Sequence, residues 1–241
     1  MKSYEEKILL ELVMWQKKMS KMPSLTNRLA KGLQNKVNHV IPDKIHNAIT
    51  TAIKNMVKAV LTGSGYISKQ PLHYRHESLE EREKLVLQKA NFYKKAAAMS
   101  GAGTGAGGLL LGLADFPILL SLKIKYLFDT AVIYGFDVRD FRERLYILKL
   151  FELAFSSQQK RVEVYKYIVD WDKKIEQIPF DMESFNWRSF QQEYRDYIDL
   201  AKMMQLMPVI GAVVGAYANY QLMDKLAETA MNGYRLRLFR G

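Results

Sequence analysis

Cysteine is absent from the 241 residues, which excludes disulfides, thiol nucleophiles and cysteine-ligated zinc and fits a reducing cytosol. Histidine is scarce. His39, His46, His73 and His76 are the only four, and of these only His73 and His76 could share one helical turn. Zinc would need a third ligand held rigidly, so they read as a surface pair and no metal is expected. No HExxH or G-x-S-x-G motif occurs, and no catalytic residue or cofactor is assigned. Period-two alternation of apolar residues is missing, as is any internal repeat of solenoid length. The opening MKSYEEKILLELVMW carries acids where a signal peptide needs a basic start, so secretion is not expected.

Acids are also short in the first third. Residues 1–95 hold 18 Lys/Arg against 8 Asp/Glu, and between Lys17 and Arg75 Asp43 is the only acid beside eleven basic residues. Such a block attracts polyanions, either nucleic acid or the anionic face of a membrane, or it is a solvated surface without a partner. No helix-turn-helix or RNP-like motif is recognisable, so a nucleic-acid role would rest on charge alone.

What is present is helical periodicity. Ile8, Leu9, Leu12, Val13 and Met19 keep helical spacing until Pro23, and Leu25, Leu29, Leu33, Val37 and Ile41 recur every fourth residue. The cleanest stripe is Ile45, Ile49, Ala52, Ile53, Met56, Val57, Val60 and Leu61, with Asp43 as N-cap, Gly63 as C-cap, and Lys54 and Lys58 off the stripe. Residues 63–75 read as a loop. Ser78 with Glu81 makes a capping box for a helix through Leu85, Val86, Ala90 and Tyr93. Asp137 or Asp140 can cap a helix carrying Phe141, Leu145, Leu148 and Phe151; further helices are expected near 161–178, 184–204 and 218–239. The reading is all-α: a single helical bundle over 1–241, with a basic part at 1–95, a glycine-rich apolar segment at 96–135 and further helices at 136–241.

The glycine-rich segment is the most unusual feature. Gly101, Gly103, Gly105, Gly107, Gly108 and Gly112 fall within twelve residues, and Asp115 is the only charge in 99–122. A second uncharged run, 203–223, carries Gly211 and Gly215. A dinucleotide loop would need a preceding strand, and a helix stands there instead. A membrane-spanning helix is long enough, but Asp115 and Pro117 count against it. Close helix packing fits best: Gly103/Gly107, Gly108/Gly112 and Gly211/Gly215 each stand four apart, leaving flat strips on which another helix can approach. Asp115 then reads as the N-cap of a new helix with Pro117 in its first turn, or as a buried functional acid.

Several of these stretches carry a resemblance. Ile41-Pro42-Asp43-Lys44-Ile45-His46, the glycine run, Leu113-Ala114-Asp115-Phe116-Pro117, Tyr134-Gly135-Phe136-Asp137, and Pro208-Val209-Ile210-Gly211-Ala212-Val213-Val214-Gly215-Ala216 with Asn219 follow one another in an order that resembles the EcsC family. That family is named for a protein encoded with a bacterial ABC transporter. The resemblance covers residues 30–235, and the aromatic, charged stretch 165–197 departs from its pattern. It implies a bacterial intracellular protein at the membrane, with no established reaction to carry over.

The expectation is therefore a non-enzymatic, peripheral protein at the inner face of the cytoplasmic membrane. It would be accessory to an ABC transporter or bind a lipid or other hydrophobic ligand. Lys31, Lys36, Lys54 and Lys58 would face the anionic lipid, and Gly103, Gly107, Gly108, Gly112, Gly211 and Gly215 would pack helices together. The alternatives are a lipid-directed enzyme using Asp115 in an apolar cleft, and a nucleic-acid binder acting through the basic third.

Overall fold

A computed structural model describes residues 3–21, 43–67, 73–104, 108–177 and 212–239. Among these residues every regular element is helical: α1 Tyr4–Ser20, α2 Asp43–Thr62, a 3₁₀ turn His73–His76, α3 Leu79–Thr104, α4 Gly108–Ile133, α5 Phe141–Phe155, α6 Gln158–Val169, α7 Trp171–Ile175 and α8 Ala212–Leu238. The all-α reading holds. The expected helices at 25–41 and 184–204 lie outside the described residues.

Local chemistry sets the helix ends. Ser3 and Ser78 each open a helix with a capping box, exchanging hydrogen bonds with Glu6 and Glu81. Asp140 accepts from the Arg142 N–H to start α5. Gly63 ends α2 with φ +73°, and Gly135 follows α4 with φ +91° while the Phe136 N–H reaches back to the Ala131 carbonyl, the Schellman closure that favours glycine. The single helix expected over 161–178 is instead two, α6 and α7, meeting at Asp170.

Three long helices form a layer. α3 packs against both α4 and α8, which also touch each other, run parallel to one another and are antiparallel to α3. The pairs Glu83–Arg235 and Lys94–Asp224 fix the α3–α8 register, since each helix advances eleven residues from one pair to the other. α5 sits behind the layer against α2, α4, α6 and α8, with nearly every residue buried. The sequence stripe marks only part of that burial, because Glu143, Lys149 and Glu152 interrupt it and yet are inside. They are tolerated because they are paired: Glu143 with Arg237 at 2.5 Å, and Lys149 with Glu152 at 2.9 Å. α2 buries Ile49, Ile53, Met56, Val57, Val60 and Leu61, the face read from the sequence.

Candidate functional site

Two places in the layer have the chemistry to meet a partner. The first is a cleft of about 500 Å³ between α1, α3 and α8. Its floor is an ion pair. Glu83, fully buried on α3, accepts from Arg235 Nε at 2.7 Å and Nη2 at 2.6 Å, from Tyr134 Oη at 2.9 Å and from Tyr4 Oη at 2.7 Å. Arg235 reaches on to Glu11 at 3.2 Å. Burial, followed by the Glu83 carboxylate, pushes the Tyr4 and Tyr134 hydroxyls well above their usual range. Burial alone would lower the Arg235 guanidinium, but the hydrogen bond and charge of Glu83 outweigh it and hold it above its ordinary value. Every oxygen of Glu83 is spent on internal partners, so the floor clasps four helices rather than offering an acid for chemistry. The walls are Ile8, Met14, Trp15, Leu87 and Met231, and Lys18 bonds Glu228 at 2.8 Å at the rim. A cleft of this size and lining can bind an apolar group.

The second place is the outer face of the layer, away from α5. On α3, Phe92, Lys95 and Met99 share one exposed stripe, with Phe92 64% and Met99 75% exposed. On α4, Ile118 and Lys125 share another. On α8, Tyr217 at 65% and Tyr220 stand on the side that borders Lys94 of α3. The seams are ionic: Lys89 with Asp129 of α4 at 3.2 Å, and Lys94 with Asp224 of α8. The two acids at these seams are thus matched by lysines, and Lys95 and Lys125 add uncompensated positive charge among large exposed apolar side chains.

Of the residues singled out from sequence, Lys54 and Lys58 are exposed on α2, and Gly103, Gly108, Gly112 and Gly215 lie in helices α3, α4 and α8. Lys31, Lys36, Gly107 and Gly211 lie outside the described residues. Asp115 is a correction. It stands inside α4, half-buried, seven residues past the first, and the helix continues through Pro117 to Ile133. No new helix starts there, so Asp115 is not an N-cap. Phe116, Leu119 and Leu120 are buried beside it, and that packing carries the helix across a proline that cannot donate to the carbonyl four residues back. Nor does Asp115 line the cleft. The helix layer does bring the two glycine-bearing stretches into neighbouring helices, since α8 packs most extensively on α3. Sequence reading missed the Glu83–Arg235 clasp, whose partners are 152 positions apart. The outer face was missed too, although its Phe92–Lys95–Met99 spacing was there to be found.

The fold and these sites define an all-α protein in which a three-helix layer presents an apolar, lysine-bearing face. The chain belongs to the EcsC family: the profile described as "EcsC protein family" matches residues 6–239. It is similar to "Protein EcsC" of Bacillus subtilis (strain 168), 43% identical over 234 residues that span 95% of this chain and 94% of that one. It is also similar to "Uncharacterized protein YdbA" of the same organism, 33% identical over 142 residues, 59% of this chain and 52% of that one. No solved structure matches. Among the described residues, no helix is long and apolar enough to cross a membrane.

Proposed function

We propose that this is a non-enzymatic protein that docks peripherally on the anionic, cytoplasmic face of a membrane through the outer face of the α3–α4–α8 layer. The observation that carries this reading is the set of exposed Phe92, Met99, Ile118, Tyr217 and Tyr220 beside Lys95 and Lys125. Single exposed apolar residues are ordinary on a soluble surface, but several on neighbouring helices, with lysines on the same stripes, suit a lipid interface. Tyrosine favours the headgroup level and phenylalanine the acyl boundary beneath it, and each lysine there contributes about 1 kcal/mol of salt-sensitive attraction. The basic first third, with Lys31, Lys36, Lys54 and Lys58, adds to the long-range attraction. The link to an ABC transporter rests on the family resemblance.

Flotation with liposomes tests the reading. The protein is expected to float with vesicles containing phosphatidylglycerol and to stay down with pure phosphatidylcholine. Lys95→Gln with Lys125→Gln should weaken binding by about tenfold or more at low salt, as about 2 kcal/mol implies. Phe92→Ser with Met99→Ser should weaken it at any salt. Equal flotation with both lipids, or wild-type binding by both double variants, overturns the proposal.

A further inference from the structure

Beneath that outer face are two polar side chains that the fold buries and leaves without partners. Lys123 of α4 is fully buried and its Nζ meets no acceptor; Asn219 of α8 is fully buried and neither its Nδ2 nor its Oδ1 is bonded. Buried amides and amines are otherwise almost always paired, because losing water without a substitute is costly. Burial alone pushes the Lys123 amine down to about 7.

Register places the two at neighbouring levels of α4 and α8. Tyr134, which directly follows α4, stacks on Tyr234 of α8 with ring centroids 5.4 Å apart. Eleven residues make three helical turns. Lys123 therefore stands on the same stripe as Tyr134, level with Met223, which is three turns before Tyr234. Asn219 is one turn further back on the inward stripe of Met223, Leu226 and Ala230, all buried. Helical side chains lean toward their own N-terminus, so the long Lys123 side chain extends toward the level of Asn219. The α3–α8 register sets Asn219 opposite Met99, beside Ala96, Ala97 and Ala98, where α3 contributes little bulk. Of the charged side chains nearest along α3 and α8, Lys94 and Asp224 are engaged with each other and Lys95 is exposed. At this same level the layer exposes Met99, Ile118 and Tyr217.

We infer that Lys123 and Asn219 form a polar site inside the helix layer for the oxyacid head group of a single-chain amphiphile, a carboxylate or a phosphate monoester, whose alkyl tail leaves between Met99, Ile118 and Tyr217. The amine and the amide Nδ2 donate to the acid's oxygens, and Oδ1 accepts from its remaining hydroxyl or from a water carried with it. Delivery of the amphiphile from a bilayer rests on the membrane reading; the binding itself does not.

Titration calorimetry on the full chain, without vesicles, tests this with decanoate, decyl phosphate and decanol below their micelle concentrations. At least one of the two acids is expected to bind tenfold or more tightly than decanol, and which one identifies the head group. Lys123→Met and Asn219→Leu should each weaken that binding tenfold or more, while thermal melts confirm that they fold. Lys173→Gln, on the exposed surface of α7, should bind like the parent. If neither acid binds, if decanol binds equally well, or if folded Lys123→Met binds the acid like the parent, the inference falls, and the two side chains are then bridged by buried water alone. Failure of flotation with decanoate or decyl phosphate still bound would sink only the membrane reading.

Discussion

Arg235 closes on Glu83 through two hydrogen bonds, 2.7 and 2.6 Å long, in a site where the glutamate has no exposure at all. A buried pair of this kind is weak evidence for net stability, because desolvating both charges offsets their attraction. Removing one partner is another matter. Arg235→Met should cost about 3–5 kcal/mol by leaving Glu83 as a buried acid with only two tyrosine donors. Arg235→Lys should recover little, since an ammonium cannot reproduce the bidentate fork. Adding Glu83→Gln to Arg235→Met should restore part of the loss. Urea melts of the single and double variants check this, and simple additivity would rule out the coupling.

Lys123 predicts a pH dependence. In the unfolded chain its amine keeps its proton up to about 10.5, and in the fold burial has lowered it to about 7. Between those values the unfolded state binds the extra proton. Stability contributed by this group therefore rises with pH through that window, by at most about 1.4 kcal/mol per pH unit. Lys123→Met should be more stable than the parent at pH 7, and the gain should shrink as pH approaches 10. A constant difference between the two proteins across this window would show that Lys123 does not titrate as described.

Gly233 of α8 lies against α5, where Tyr146 Oη donates to its carbonyl at 2.8 Å and Leu150 occupies the space a β-carbon would take. Alanine has the better helix propensity by about 1 kcal/mol, yet overpacking costs about 1–3 kcal/mol. Gly233→Ala should therefore be neutral to destabilising in the parent. Combined with Leu150→Ala, which makes room, it should turn stabilising relative to Leu150→Ala alone. A double-mutant cycle by denaturant melts reads the sign.

Asp115 sits in mid-helix and half-buried, so its substitution should matter little to the fold. Asp115→Ala and Asp115→Asn are both expected within about 0.5 kcal/mol of the parent. A loss near 1 kcal/mol for alanine alone would restore a capping role.

Much of the fold is legible in the sequence wherever local rules decide. The α2 stripe, the Gly63 stop, the Ser78–Glu81 box and the Asp140 cap need only spacing and short-range hydrogen bonds. Asp115-Phe116-Pro117 misleads for the same reason. By local rules it is a helix start, and only the burial of Phe116, Leu119 and Leu120 against distant helices overrides them. α5 was half legible, because Glu143 and Lys149 look like solvent-facing positions until Arg237 and Glu152 are seen beside them. Lys123 and Asn219 are legible only in part: the apolar runs beside them point to an interior, but their neighbouring levels follow from a register set by Tyr134 and Tyr234.

The order in which the clasp is assembled bears on how the chain matures. Synthesis proceeds from α1 toward α8 and domains fold as they emerge. Glu83, Tyr4 and Tyr134 are all made long before Arg235, so the growing chain carries an acid at the heart of a seam that nothing yet neutralises. α3 and α4 can pair early, but the groove that α8 fills stays open, with Val86, Ala90 and Ala97 along it, until the last described helix arrives. The clasp is therefore complete only when the C-terminal helix is in place, and α1, α3 and Tyr134 depend for their common tie on one of the last residues to be made.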